Sequence, residues 1–162
     1  HYDPDAKMIR LSEQHYDGKS LAAVTIAAHE FGHALQHHTR YQPLLMRGKL
    51  VKFAVVAEKI ASFILVCSPF LLVMKLPIVS FVMILAGLTI LLLPIILHLF
   101  TLPVEFDASF NRALPILSEG NYIPESAMPI AHKILKAAAL TYVAASLSSL
   151  LNFYRWIAIL RR

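Results

Sequence analysis

Polar and apolar residues fall into long blocks along this chain, and the blocks predict its elements. From His1 to Lys52 the two kinds are mixed, as in a layer that faces water. Within that block Lys7 to Leu11 has the pattern of a short strand and Asp17-Gly18 is a turn signal. Ser20 stands where an N-cap belongs, ahead of a helix from Leu21 to about His38. Phe53 to Met74 is apolar apart from Glu58 and Lys59. After the short break Lys75-Leu76-Pro77, Ile78 to Phe100 gives 23 residues with no formal charge. That is close to the ~20 helical residues that cross about 30 Å of hydrocarbon. Pro94 should kink this second span. Pro103 to Lys136 is polar enough for water again, with Pro103 as a natural first-turn residue for a helix from Val104 to Leu117. Ala137 to Leu160 is apolar and rich in Ala and Ser, which suits close helix packing in lipid.

The blocks predict a mainly α, polytopic membrane protein forming one domain over 1–162. Spans at 53–74, 78–100 and 137–160 alternate with surface-layer segments at 1–52 and 103–136. Composition agrees. Hydrophobic residues make up 57% of the chain, charged residues only 15%, and mean hydropathy is +0.62, too apolar for an ordinary soluble domain. The net charge of +5 does not point to nucleic acid, because the basic residues are scattered, with no stacking motif or basic helix face beside them. Cys67 is the single cysteine, so neither an intrachain disulfide nor a cysteine metal site can form.

The chemistry lies in the helix predicted from Leu21 to His38. Ala28-His29-Glu30-Phe31-Gly32-His33-Ala34 contains H-E-x-x-H. Residues four apart share a helix face, so His29 and His33 can both reach one tetrahedral Zn²⁺. Glu30, about 100° round the helix, addresses the water that a catalytic zinc carries. The rival reading is a coincidental match in a histidine-rich chain. Gly32 costs about 1 kcal/mol against alanine inside a helix, which suggests close packing against its backbone; a tolerated glycine is the alternative. His37, one turn beyond His33, could approach the site, although its neighbour His38 suggests a polar helix end.

A catalytic zinc takes three protein ligands, so a third must come from elsewhere. Glu105, Asp107, Glu119, Glu125 and His132 are the candidates. Two spans return the chain to the face it left, and Glu105 is best placed, in the first turn after the membrane exit. Asp107 and Ser109, on the same predicted helix, could hydrogen-bond a ligand imidazole. The competing reading makes these acids a solvated helix start favoured by the macrodipole. His132, Tyr122 and Tyr142 are possible oxyanion donors, with packing or interfacial anchoring as their plainer role.

Four segments, His1-Tyr2-Asp3-Pro4, residues 28–37, residues 102–109 and residues 135–145, together resemble the neutral zinc metallopeptidases of the YugP type, small bacterial membrane proteins. The resemblance runs over essentially the whole chain. It implies a zinc peptidase with His29 and His33 as metal ligands, Glu30 as catalytic base and Glu105 as third ligand. It also implies a membrane span ahead of His1, so the chain reads as a fragment lacking its first span. A more remote likeness is to membrane gluzincins of the HtpX and CAAX-protease kind, whose third ligand lies in Glu-x-x-Ala-Asp. Here Glu105-Phe106-Asp107-Ala108-Ser109 ends in serine.

These readings predict a zinc-dependent membrane endopeptidase, gluzincin-like, acting on a protein or peptide substrate from a multi-pass position in the bacterial cytoplasmic membrane. No nucleic-acid partner is expected, and the sequence leaves the oligomeric state open. Lys7, Arg10, Lys19, Arg40, Arg47, Lys49, Lys52, Arg112, Lys133 and Lys136 flank one face, against Lys75 and Arg161-Arg162 on the other, which predicts a cytoplasmic catalytic face. A site-2-type intramembrane protease fits less well, because its motif lies in a spanning helix. A non-enzymatic scaffold or chaperone with a structural or degenerate zinc site is the alternative.

Overall fold

The computed structural model describes residues 1–90 and 92–160. The Arg161-Arg162 pair, which entered the charge reading above, lies outside these residues. The chain divides into two compact units. One comprises His1–Met46 and Phe100–Val143, the other Arg47–Leu99 and the chain from Ala144.

The first unit begins with β1 (Tyr2–Asp3) and β2 (Met8–Ile9), an antiparallel pair in which Tyr2 faces Ile9 and Asp3 faces Met8. Asp3 closes the turn, its Oδ1 accepting from the N–H groups of Asp5 and Ala6 at 3.1 and 3.0 Å. The strand expected over Lys7 to Leu11 is Met8–Ile9, with the pairing continued by backbone hydrogen bonds between His1 and Arg10. After α1 (Glu13–Tyr16), helix α2 spans Leu21–His38. Ser20 caps it, its Oγ accepting from the Ala23 N–H at 3.1 Å. At the other end Tyr41 N–H bonds the Gln36 carbonyl (2.9 Å) and Arg40 N–H the His37 carbonyl (3.1 Å), with Arg40 at φ 52°. This is a Schellman ending, with arginine at the left-handed position that glycine usually takes.

Helix α3 spans Gln42–Val73 and α4 spans Pro77–Ile90. Helix α5 (Leu93–Phe106) runs directly into a π-helical stretch, Asp107–Ala113, and then into α6 (Leu114–Glu119). The expected boundaries shift here. Pro103 does not open a helix but sits inside α5. The start is supplied instead by Leu93-Pro94, where proline suits the first turn. Among the described residues the apolar run 78–100 falls in α4 and α5, with Pro94 in the first turn of α5. A short 3₁₀ turn, Glu125–Ala127, precedes α7 (Met128–Leu160).

The core of the first unit gathers Ala28 of α2, Ala113, Leu117, Ile123, Ala131 and Leu135. Burying Leu117 and Leu135 almost completely contributes about 1.5–3 kcal/mol each. Small residues let the backbones approach. A Cβ at Gly32 would lie 2.5 Å from the carbonyl oxygen of Ala108, so α2 and the π-helical stretch touch where only glycine fits.

In the second unit α3 and α4 pack through small residues as well. Ser80 Oγ donates to the Ser68 carbonyl at 2.7 Å, and Gly87 lies against Leu65. The outward surface is apolar: Phe63, Val66, Phe70, Val73 and Ile78 are each at least 70% exposed. Two helical stretches, Pro77–Glu119 and Glu125–Arg155, are long and apolar enough to cross a bilayer.

Replacing Gly32 by alanine should destabilise the protein by about 1–3 kcal/mol, since rigid backbone must move. Gly48, inside α3 with nothing near its Cβ position, should tolerate alanine with a gain of up to about 1 kcal/mol. Thermal unfolding in detergent compares the two. Equal midpoints would show that the close approach at Gly32 is not required.

Candidate metal centre

Two elements bring three donor groups to one point. Helix α2 contributes His29 and His33, both buried, with ring centroids 4.8 Å apart in an edge-to-face arrangement. The last turn of α5 contributes Glu105, 2% exposed. Glu105 Oε2 stands 3.3 Å from His29 Nε2 and 3.4 Å from His33 Nε2. The candidate ligand atoms all lie within 4.8 Å of one another. Ligands held about 2.05 Å from a tetrahedral zinc are separated by roughly 3.3 Å, so both nitrogen-to-oxygen spacings match edges of that tetrahedron.

The other ring nitrogens explain why Nε2 is the face presented. His33 Nδ1 lies 2.9 Å from Gln36 Oε1, an acceptor only, so His33 donates there and turns its Nε2 toward Glu105. The Gln36 amide is fixed in turn, because its Nε2 donates to the Val104 carbonyl and to Asp107 Oδ2, each at 2.8 Å. His29 Nδ1 lies 3.1 Å from Ser109 Oγ, a hydroxyl that orients the ring. Two ring nitrogens and a carboxylate thus converge in a buried volume, an arrangement that a cation or shared protons hold together.

Asp107 bonds no imidazole. It acts one group further out, through Gln36, and also accepts from Arg112 Nε (2.7 Å) and Asn111 Nδ2 (3.1 Å). Burial pushes its carboxyl up, but the hydrogen bonds from Arg112, Gln36 and Asn111 outweigh that and hold it below the usual carboxylate range. Ser109 does reach an imidazole. It stands in the π-helical stretch, where Leu114 N–H bonds the Ser109 carbonyl five residues back. Gln36 is the residue that the sequence reading missed. Its position three after His33 and seven after His29 puts it on the ligand face of α2, a signal that could have marked it.

Glu30 is fixed from outside its own helix. The Tyr2 backbone N–H donates to Glu30 Oε2 at 2.7 Å, which ties the β-hairpin to the motif. The Tyr2 hydroxyl lies 2.6 Å from His37 Nδ1, so His37 is engaged there and not with the three-donor group. Burial, then the neighbouring Asp3 carboxylate, raises the Tyr2 pKa and keeps the hydroxyl protonated. The remaining third-ligand candidates stay apart: Glu119 and Glu125 are exposed, and the His132 ring packs 5.0 Å from that of Phe110. Among the described residues His29, His33 and Glu105 form the one group of three suited to a metal. Tyr122 is 66% exposed, which suits a surface role.

A model of the family described as "Putative neutral zinc metallopeptidase" matches residues 1–161. The chain belongs to that family. Among curated proteins, the "Putative membrane protease YugP" of Bacillus subtilis (strain 168) is 40% identical over 159 residues, covering 98% of this chain and 67% of that protein. No solved structure matches the chain. The three-donor group lies wholly within the region matched by the zinc metallopeptidase family, and its chemistry suits the metal in that name: two imidazoles and one carboxylate, each ring oriented through its far nitrogen.

Gln36→Leu should lower zinc affinity about ten- to hundredfold by freeing His33 to rotate, whereas Glu105→Ala should lose binding altogether. Competition against a chromophoric chelator measures both. Unchanged affinity in the Gln36 variant would show that His33 needs no clamp.

Proposed function

We propose that the chain is a zinc-dependent membrane endopeptidase of gluzincin type, with His29, His33 and Glu105 as metal ligands and Glu30 as general base. The observation that carries this reading is the meeting of three metal-competent donors from two elements beside a carboxylate held by the Tyr2 backbone. A structural zinc needs only its ligands. A base kept on the same helix is what hydrolysis adds.

When bound, zinc supplies a Lewis acid that makes water a nucleophile near neutral pH and polarises the scissile carbonyl. The residues of the chain do the rest. His29, His33 and Glu105 hold the metal, while Ser109 and Gln36 fix the imidazoles. Glu30 takes the proton of the attacking water and returns it to the leaving amine. The Tyr2 N–H fixes one oxygen of Glu30 and so orients the carboxylate.

The membrane setting belongs to the same proposal. The apolar runs 53–74, 78–100 and 137–160 cross a bacterial cytoplasmic membrane, and the Lys/Arg bias places residues 1–52 and 103–136 on the cytoplasmic side. Glu105 follows the end of the second run by five residues on α5, about 7.5 Å along the helix axis. That spacing suits cleavage of proteins or peptides close to the lipid surface. The name of the Bacillus protein, a membrane protease, accords with this.

Glu30→Gln should retain stoichiometric zinc and lose peptide cleavage by at least 10²-fold, and Glu105→Ala should lose both. Metal analysis of the purified proteins, beside digestion of a peptide mixture read by mass spectrometry, separates these outcomes. Zinc bound equally by the Glu105→Ala variant would remove Glu105 as a ligand. Zinc retained without any cleavage by the parent protein would favour a structural scaffold.

A further inference from the structure

Beside the metal centre, at the C-terminal end of α2, lies a cleft of about 640 Å³ lined by Tyr2, Lys7, His37, His38 and Arg40, with Ala34 and Leu45 as its apolar part. No acid lines it. Elsewhere in the first unit the two other arginines are paired, Arg10 with Asp3 at 3.0 Å and Arg112 with Asp107 at 2.7 Å. Lys7, His38 and Arg40 are exposed and have no ion pair or side-chain hydrogen bond among the described residues. The negative end of α2, roughly half an elementary charge, accounts for one neighbouring cation. The second cation remains without a counter-charge.

Lys7 and Arg40 both stand at φ 52°, in the left-handed region, as do Lys75 and Asn121 elsewhere in the chain. At Arg40 the conformation ends α2, and at Lys7 it turns the hairpin, so each closes a local turn. The two turns bring two cations without ion pairs among the described residues to one cleft.

Tyr2 links this cleft to the metal centre. Its N–H holds Glu30, and its hydroxyl hydrogen-bonds His37 Nδ1 at 2.6 Å, which leaves Nε2 of His37 toward the cleft side of the ring. We infer that the cleft is a carboxylate-binding subsite for the substrate, with Arg40 and Lys7 clamping an acidic side chain or the C-terminal carboxylate of the peptide. Arginine offers two parallel donors matched to a carboxylate, and lysine adds a point charge. This inference rests on the peptidase reading. The connection through Tyr2 to the proposed base favours a substrate group over a lipid phosphate.

The test uses the full chain, zinc-loaded in detergent, carrying Glu30→Gln so that bound peptides stay intact. Fluorescent peptides of one sequence end in a free carboxylate, in an amide, or in an amide with one internal glutamate. Fluorescence anisotropy should show at least one carboxylate peptide binding tenfold or more tightly than the neutral amide, and which one does so tells terminal from side-chain recognition. Adding Lys7→Gln and Arg40→Gln should abolish that preference while zinc content and amide binding stay unchanged. Adding Lys7→Arg and Arg40→Lys instead should preserve it. If the double variant loses zinc, the single substitutions decide, each removing part of the preference. Equal binding of all three peptides, or a preference that survives neutralisation, overturns the subsite. So does loss of binding to phosphatidylglycerol vesicles with the peptide preference intact, which would assign the cleft to lipid headgroups. Carboxylate-dependent binding without cleavage by the parent protein would count against the peptidase reading alone.

Discussion

The approach of α2 to the carbonyl of Ala108 at Gly32 is the constraint on which the metal centre depends. A Cβ at that point would stand 2.5 Å from a backbone oxygen. Glycine sits between His29 and His33, so the missing side chain lies level with the two imidazoles. The helix gives up about 1 kcal/mol of intrinsic propensity there. In return the π-helical stretch comes close enough for Ser109 to meet His29, and Glu105, one turn earlier, to face both rings.

Given that approach, a polar network fixes the detail. The Gln36 amide bonds His33, the Val104 carbonyl and Asp107, so one side chain of α2 sets both the tautomer of a ligand and the position of the segment carrying Glu105. Gln36 is fully buried. Hydrogen bonds in such a setting hold geometry because leaving one unmade costs about 1–3 kcal/mol. The Asp107–Arg112 pair closes the outer side of the network, with Arg112 reaching Thr39 at the end of α2 (3.2 Å).

The two units follow different solvent rules. The first buries a core of alanine, leucine and isoleucine. The second buries small residues such as Ala54, Ala61, Ser68 and Ser80 while exposing Phe63, Phe70 and Val73. In the lipid setting proposed for the second unit, apolar burial no longer drives helix association, so close packing of small side chains takes over.

The sequence by itself determined what local rules carry. The 3.6-residue period, the Ser20 cap and the four-residue histidine spacing defined α2 and placed His29 and His33 on one face, and the charge-free run from Ile78 marked an apolar helical region. Glu105 was legible because a catalytic zinc needs a third ligand and few acids were available. Other features were not legible, because they arise from contacts between distant segments. The π-helical register that turns Ser109 to His29, the triple engagement of Gln36 and the Tyr2 N–H on Glu30 depend on partners 80, 68 and 28 residues away in the chain. Pro103 misled for the same reason: its intrinsic preference for a first turn was overridden by a helix that continues from Leu93. Local chemistry could name the three donors, but only the packing of α2 against the segment from Glu105 to Ser109 decided which groups hold them in place.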